Sequence, residues 1–152
     1  MGGTVSGIGT VYGGTGNGSL GAYNLLIGNG GNVLRGGFGR RNLLVAGPNA
    51  STLIGGDQDD LLIGGWTVYD TQAGLASWLQ IASYWAGTDP YATRVSNLTS
   101  GGGVPLLDAS TVTGNGGANT LFGTTEVALL YSDGLDSVTG FDPGSQTITI
   151  AP

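Results

Sequence analysis

Five stretches decide the fold: NLLIG (Asn24 to Gly28), NVLRG (Asn32 to Gly36), NLLVAG (Asn42 to Gly47), STLIG (Ser51 to Gly55) and DLLIG (Asp60 to Gly64). They are one phrase repeated, with starts 8, 10, 9 and 9 residues apart. A sixth copy, NTLFG (Asn119 to Gly123), stands alone. Each opens on a small polar residue, carries Leu two places later and closes on Gly. A repeat this short cannot enclose a core by itself and must stack on its neighbours. In a strand, alternate side chains point to opposite faces. Leu26, Leu34, Leu44, Leu53, Leu62 and Leu121 therefore read as an inward row. Gly at the corners permits tight turns, and Asn at the openers can stack into hydrogen-bonded ladders.

Working outward, residues 1–23 are Gly-rich with β-favouring pairs (Thr4-Val5, Val11-Tyr12) and lead into the stack. Residues 24–65 hold the repeats. Residues 66–113 interrupt them. Asp70 or Thr71 suits a helix cap, and Leu75, Trp78, Leu79, Ala82 and Trp85 then share one helical face as far as Ala86. Pro90 suits the first turn of a second, shorter helix carrying Tyr91, Val95 and Leu98, which Gly101 to Gly103 end. The helical part thus spans about 70–98. VPLLDAS (Val104 to Ser110) reads as a strand. The repeat resumes at Gly114, and residues 114–152 form a β-rich cap with strands at VALLY (Val127 to Tyr131) and TITI (Thr147 to Ile150). The whole is one domain of 152 residues.

Composition narrows the function classes. Gly accounts for 32 residues, yet not at every third place, so collagen is excluded. The net charge is −6 and the only cations are Arg35, Arg40, Arg41 and Arg94. No basic stripe exists to neutralise phosphates, which argues against nucleic acid. Without His or Cys there is no Ser-His-Asp triad and no thiolate or imidazole metal site. No apolar run approaches the roughly 18 residues of a membrane span, and the first ten residues lack the basic and apolar regions of a signal peptide.

GGDQDDLLIGG (Gly55 to Gly65) and GNGGANTLFG (Gly114 to Gly123) resemble the glycine- and aspartate-rich nonapeptides of RTX, or haemolysin-type, calcium-binding proteins. The likeness covers about residues 13–65 and 114–123, and DSVTGFDPGSQTITI (Asp136 to Ile150) is similar to the closing segment of such proteins. The resemblance implies a mainly β, right-handed parallel β-roll (a β-solenoid), interrupted here by the helical insertion. It also implies a secreted or cell-surface location of bacterial type. In that geometry half-turns alternate between two sheets. Leu25, Ile27, Leu43, Val45, Leu61 and Ile63 then share one outer face, and an apolar face of that kind needs a cover.

The resemblance also raises calcium as a cofactor. Carried over position by position, the repeat's ligand aspartate falls on Asp60, with Asp57 and Asp59 beside it. Elsewhere Asn119, Asn42 or Gly18 takes its place. The loop one turn away carries Arg40 and Arg41, which would repel a cation; one of them is expected to pair with Asp59 or Asp60 and replace the metal. Asp133, Asp136 and Asp142 form a second acidic set that reads as turn residues. Trp66, Trp78, Trp85, Tyr69, Tyr84 and Tyr91 offer either a core or a sugar-stacking platform. Glu126 is the only glutamate, and no nucleophile-base set is visible, so no enzymatic activity is expected.

These readings favour an extracellular structural protein that associates with itself end to end, into filaments, by strand addition at its termini. Val5, Ile8, Val11, Tyr12, Ile148 and Ile150 are the expected assembly contacts. The alternatives are a calcium-stabilised folding module of a larger secreted protein and a carbohydrate-binding module that uses the Trp-rich insertion to reach surface glycans.

Overall fold

The computed structural model describes residues 2–4, 9–16, 21–123, 128–140 and 147–149, with only the backbone at 2–4 and 147–149. The protein is mainly β, with two parallel sheets and two helices. Strands run in chain order as β1 (Gly2–Thr4), β2 (Thr10–Tyr12), β3 (Tyr23–Ile27), β4 (Val33–Arg35), β5 (Arg41–Val45), β6 (Thr52–Ile54) and β7 (Asp60–Ile63). After the insertion come β10 (Thr120–Phe122), β11 (Ala128–Ser132), β12 (Ser137–Thr139) and β13 (Thr147–Thr149). Successive strands alternate between sheets. One sheet has the order β1-β3-β5-β7-β11-β13, the other β12-β10-β6-β4-β2. The repeat openers of the first sheet are in register, with Asn24 opposite Asn42 and Asp60 opposite Ala128.

The inward leucines explain why the sheets face each other. Leu26, Leu44, Leu62 and Leu130 from the first sheet and Leu34, Leu53 and Leu121 from the second form one buried cluster. The corners leave room for little else. At Gly37 a Cβ would overlap the carbonyl of Gly14, so a chain passing this close to the next turn admits only glycine.

The insertion begins and ends as an antiparallel pair, β8 (Gly65–Thr67) with β9 (Val112–Gly114). Between them lie α1 (Leu75–Trp85) and α2 (Tyr91–Ser100). Three expectations need correction. α1 starts after Gly74 and has no side-chain cap; Asp70 instead accepts hydrogen bonds from the Thr67 N–H and hydroxyl and from the Trp78 indole. The buried face of α1 is Trp78, Ile81, Ala82 and Trp85, whereas Leu75 and Leu79 are 42% and 43% exposed. VPLLDAS is not a strand: Pro105 offers no N–H to a ladder, and the segment is held through Leu107, whose N–H donates to the Leu98 carbonyl at 2.7 Å.

α1 and α2 lie on the first sheet. Leu25, Ile27, Leu43, Val45, Leu61 and Ile63 form one cluster with Trp78, Ile81, Trp85, Val95 and Leu98. At about 1.5–3 kcal/mol for each large apolar side chain buried, six such positions contribute on the order of 10 kcal/mol, an upper figure because an unfolded chain already hides some of them. Among the described residues the outer face of the second sheet carries no such cover; Thr10, Tyr12, Arg35, Phe122, Ser137 and Thr139 on it are exposed.

Candidate functional site

Two rows of polar side chains run along the corners where each repeat opens. In the first, the Asn24 amide nitrogen donates to Asn42 Oδ1 at 2.8 Å, and the Asn42 amide nitrogen donates to Asp60 Oδ1 at 2.8 Å. In the second, the Asn32 N–H donates to the Ser51 hydroxyl at 3.2 Å, the Ser51 N–H to Asn119 Oδ1 at 2.8 Å, and the Asn119 amide nitrogen to Asp136 Oδ1 at 2.7 Å. Both rows donate in one direction, from earlier repeats to later ones, and both end on aspartate. An asparagine accepts with one end and donates with the other; an ionised carboxylate only accepts. In the first row the aspartate stands where the following rung has no side chain to receive a donor. After Asp60 the next rung is Ala128.

Asp60 is buried and takes three donors: the Asn42 N–H at 2.8 Å, the Asn42 side chain and the Gly56 N–H. Burial still dominates, and it pushes the carboxyl up to about 7 against the lowering effect of these bonds. Asp57 points elsewhere, accepting from the Gly39 N–H at 2.5 Å. Asp59 faces the insertion. It pairs with Arg94, and with Arg41 at 3.4 Å. Its backbone carbonyl accepts from the Trp85 indole at 3.0 Å.

The expected metal ligands are thus committed to three different tasks, and among the described residues no group of three or more acidic, His or Cys side chains is arranged to hold a metal. A Ca²⁺ ion takes six to eight oxygens, and the Asp57–Asp60 loop does not gather its carboxylates round a point. Of the two arginines singled out for metal replacement, Arg41 reaches Asp59. The Arg40 Nε instead donates to the Thr15 carbonyl at 3.0 Å.

Arg94 was not singled out by sequence reasoning, yet it closes the site. It is buried, stacks over the Trp85 and Tyr91 rings at 4.6 and 5.8 Å, and donates to the Trp85 and Asp89 carbonyls at 2.9 Å each. Arg41 donates to the same Trp85 carbonyl at 3.0 Å and to that of Gly87. Two cations at the C-terminal end of α1 suit its exposed carbonyls and dipole. Burial, Arg94 and Asp59 act on Arg41 in that order, and the balance lowers its pKa. The signal in the sequence was the isolation of Arg94: it is the one cation of residues 66–113, among aromatics.

The aromatic set does not make a platform. Trp78 and Trp85 are fully buried, Tyr69, Tyr84 and Tyr91 pack against the same cluster, and only Trp66 is exposed. Beside them lies an open groove of about 690 Å³, lined by Leu79, Gln80, Ser83, Tyr84, Asp89 and Val104 among others. Here the Asn97 amide donates to the Tyr84 hydroxyl at 2.6 Å, which donates to Asp89 at 3.2 Å.

Of the expected assembly contacts, Val11 is half-buried in β2 and Tyr12 is 71% exposed. Ile148 lies in β13, opposite Tyr131. Val5, Ile8 and Ile150 lie outside the described residues, as do Gly18, Glu126 and Asp142. Among the described residues no helix is long and apolar enough to cross a membrane. Comparison with protein-family models, with curated proteins and with solved structures gives no match.

Proposed function

We propose that this chain is a non-enzymatic structural protein of the bacterial cell surface or exterior, built as a right-handed β-roll that joins end to end into filaments. One observation carries the reading. Among the described residues the outermost strands of the two sheets stand in pairs, β1 with β2 at one end and β12 with β13 at the other. Their sequences are GGT, TVY, SVT and TIT, with no charge and no proline. Edge strands that stay apart normally carry such blunting residues. The edges of one end match those of the other in strand direction, which is a head-to-tail contact that repeats without closing.

Electron microscopy of the purified protein tests this. Filaments with a strand repeat of about 4.8 Å along their axis are expected, and removing residues 1–12 or 145–152 should leave monomers. Monomers at every concentration, or filaments that survive both truncations, would refute it.

A second reading rests on the groove beside Tyr84. Its hydroxyls, amide, single carboxylate and apolar wall, with no cation among the residues named, suit a neutral sugar. A glycan array with wild-type and Tyr84→Ala protein tests it; absence of any Tyr84-dependent signal disposes of the idea.

A further inference from the structure

Chain order and sheet order together set how two copies can meet. Successive strands of the stack alternate between the sheets, and β1 and β13 both belong to the first sheet, which has six strands against five in the second. If β13 of one copy sits against β1 of the next, two first-sheet strands follow one another with no second-sheet strand between them. The β12 edge and the β2 edge of the next copy are then left two strand spacings apart, about 9.6 Å, beyond hydrogen-bond reach. One sheet closes and the other keeps a gap.

The gap disappears when β13 takes the place of β1. It then pairs with β3 of the next copy, β12 meets β2 at one spacing, and the alternation runs on through the joint. The register carries over. Thr4 lies opposite Ile27, in a column that continues through Val45, Ile63 and Tyr131 to Ile148. Ile148 thus falls where Thr4 stands, and Thr147 where Gly3 stands. In the second sheet Val138 comes opposite Val11 and extends the column of Leu34, Leu53 and Leu121.

β1 is the strand suited to yield. Its sequence is GGT, whereas β13 is TIT; glycine weakens a strand and β-branched residues favour one. It also covers β3 incompletely. Leu26 and Ile27 are 7% and 8% exposed, whereas Leu44, Val45, Leu62 and Ile63 further in are 0%. The exchange gives up one three-residue ladder, β1 on β3, and gains two, β13 on β3 and β12 on β2.

We propose that β1 is a placeholder, displaced from β3 by β13 of the neighbouring copy, so that the docking site for a second copy of this chain is the β3 edge together with the β2 edge. Donated strands complete sheets in this way. The inference rests on the end-to-end reading above and specifies its joint.

The chain has no cysteine, so Val11→Cys combined with Val138→Cys in the full-length protein supplies the only thiols. Within one copy these positions are four strands apart, about 19 Å. Across the exchanged joint they are neighbours, within the Cα separation of about 4.4–6.8 Å that a disulfide accepts; across a joint of β13 with β1 they are not. Filaments oxidised in place should therefore run on a non-reducing gel as a ladder of covalent dimers, trimers and longer species. Removing residues 2–8 should leave filament formation intact and shorten its lag, because nothing has to be displaced. The proposal is overturned, and the end-to-end reading survives, if the double-cysteine protein forms filaments without the ladder or if removing residues 2–8 abolishes filaments that the wild type forms. Monomers from the wild type at every concentration overturn both. Should one variant not fold, the other decides on its own criterion.

Discussion

Asp60 occupies a rung that asparagine fills in the repeat before it, and that substitution makes its electrostatics measurable. Its carboxyl is raised from 3.8 to about 7, chiefly by burial, with Asp59 adding to the rise. The folded state therefore holds a proton on Asp60 that the unfolded state gives up between those values. Stability from this group is greatest below the unfolded value, falls as pH rises towards 7, and is level above it. Asp60→Asn should remove that slope. Melting curves are expected to show the variant gaining on wild type between pH 4 and pH 8, from a lower start at pH 4, because the rung after it is Ala128 and offers its amide no side-chain acceptor. Asp59 pairs with two arginines. Arg94→Met keeps the bulk of the side chain but leaves Asp59 with Arg41 alone and the Trp85 and Asp89 carbonyls short of a donor. Chemical denaturation should record a loss of about 3 kcal/mol.

At the scale of elements, the helical pair is a cover for one sheet. Trp85 sits at its centre, with its ring packed on Leu/Ile side chains and its indole tied to Asp59. Trp85→Ala should cost about 3–5 kcal/mol, read as a lower denaturant midpoint. Excising residues 69–110 should leave a protein that binds ANS strongly, because Leu25, Leu43, Leu61 and their neighbours then meet water. The repeat strands and their inward leucines were legible in the sequence, since a period of two and a fixed repeat leave one solution, whereas the strand pair β8–β9 was not and VPLLDAS was misread as a strand. The helix face was less so. Residues 75, 78, 79, 81, 82 and 85 contain two overlapping apolar stripes, and only the direction of the sheet selects the one holding Ile81. Asp70 has the chemistry of a cap but found closer partners in Thr67 and the Trp78 indole. The ion pair across the insertion was half legible: Arg41 stood in the facing loop, whereas Arg94 is 35 positions from Asp59, and no periodicity links them.

For the whole molecule, charge would govern the proposed end-to-end association. With a net charge of −6 and pI ≈ 4.1, copies repel at neutral pH, and approach should become easier as the carboxylates gain protons. Light scattering is expected to show assembly fastest near pH 4, with added salt accelerating it at pH 7; assembly that speeds up with rising pH would contradict this. The insertion, finally, divides the molecule in time. Neighbouring strands before it lie 18 residues apart, as Asn24 and Asn42 do, whereas β7 and β11 pair across 68, Asp60 with Ala128. Closing the longer loop costs about 1.2 kcal/mol more in chain entropy. The first half can therefore form from nearby contacts while the second waits for the helices to dock. Hydrogen exchange should accordingly find residues 128–140 opening more readily than residues 41–63, so the molecule has an early-folding half and a late-folding one.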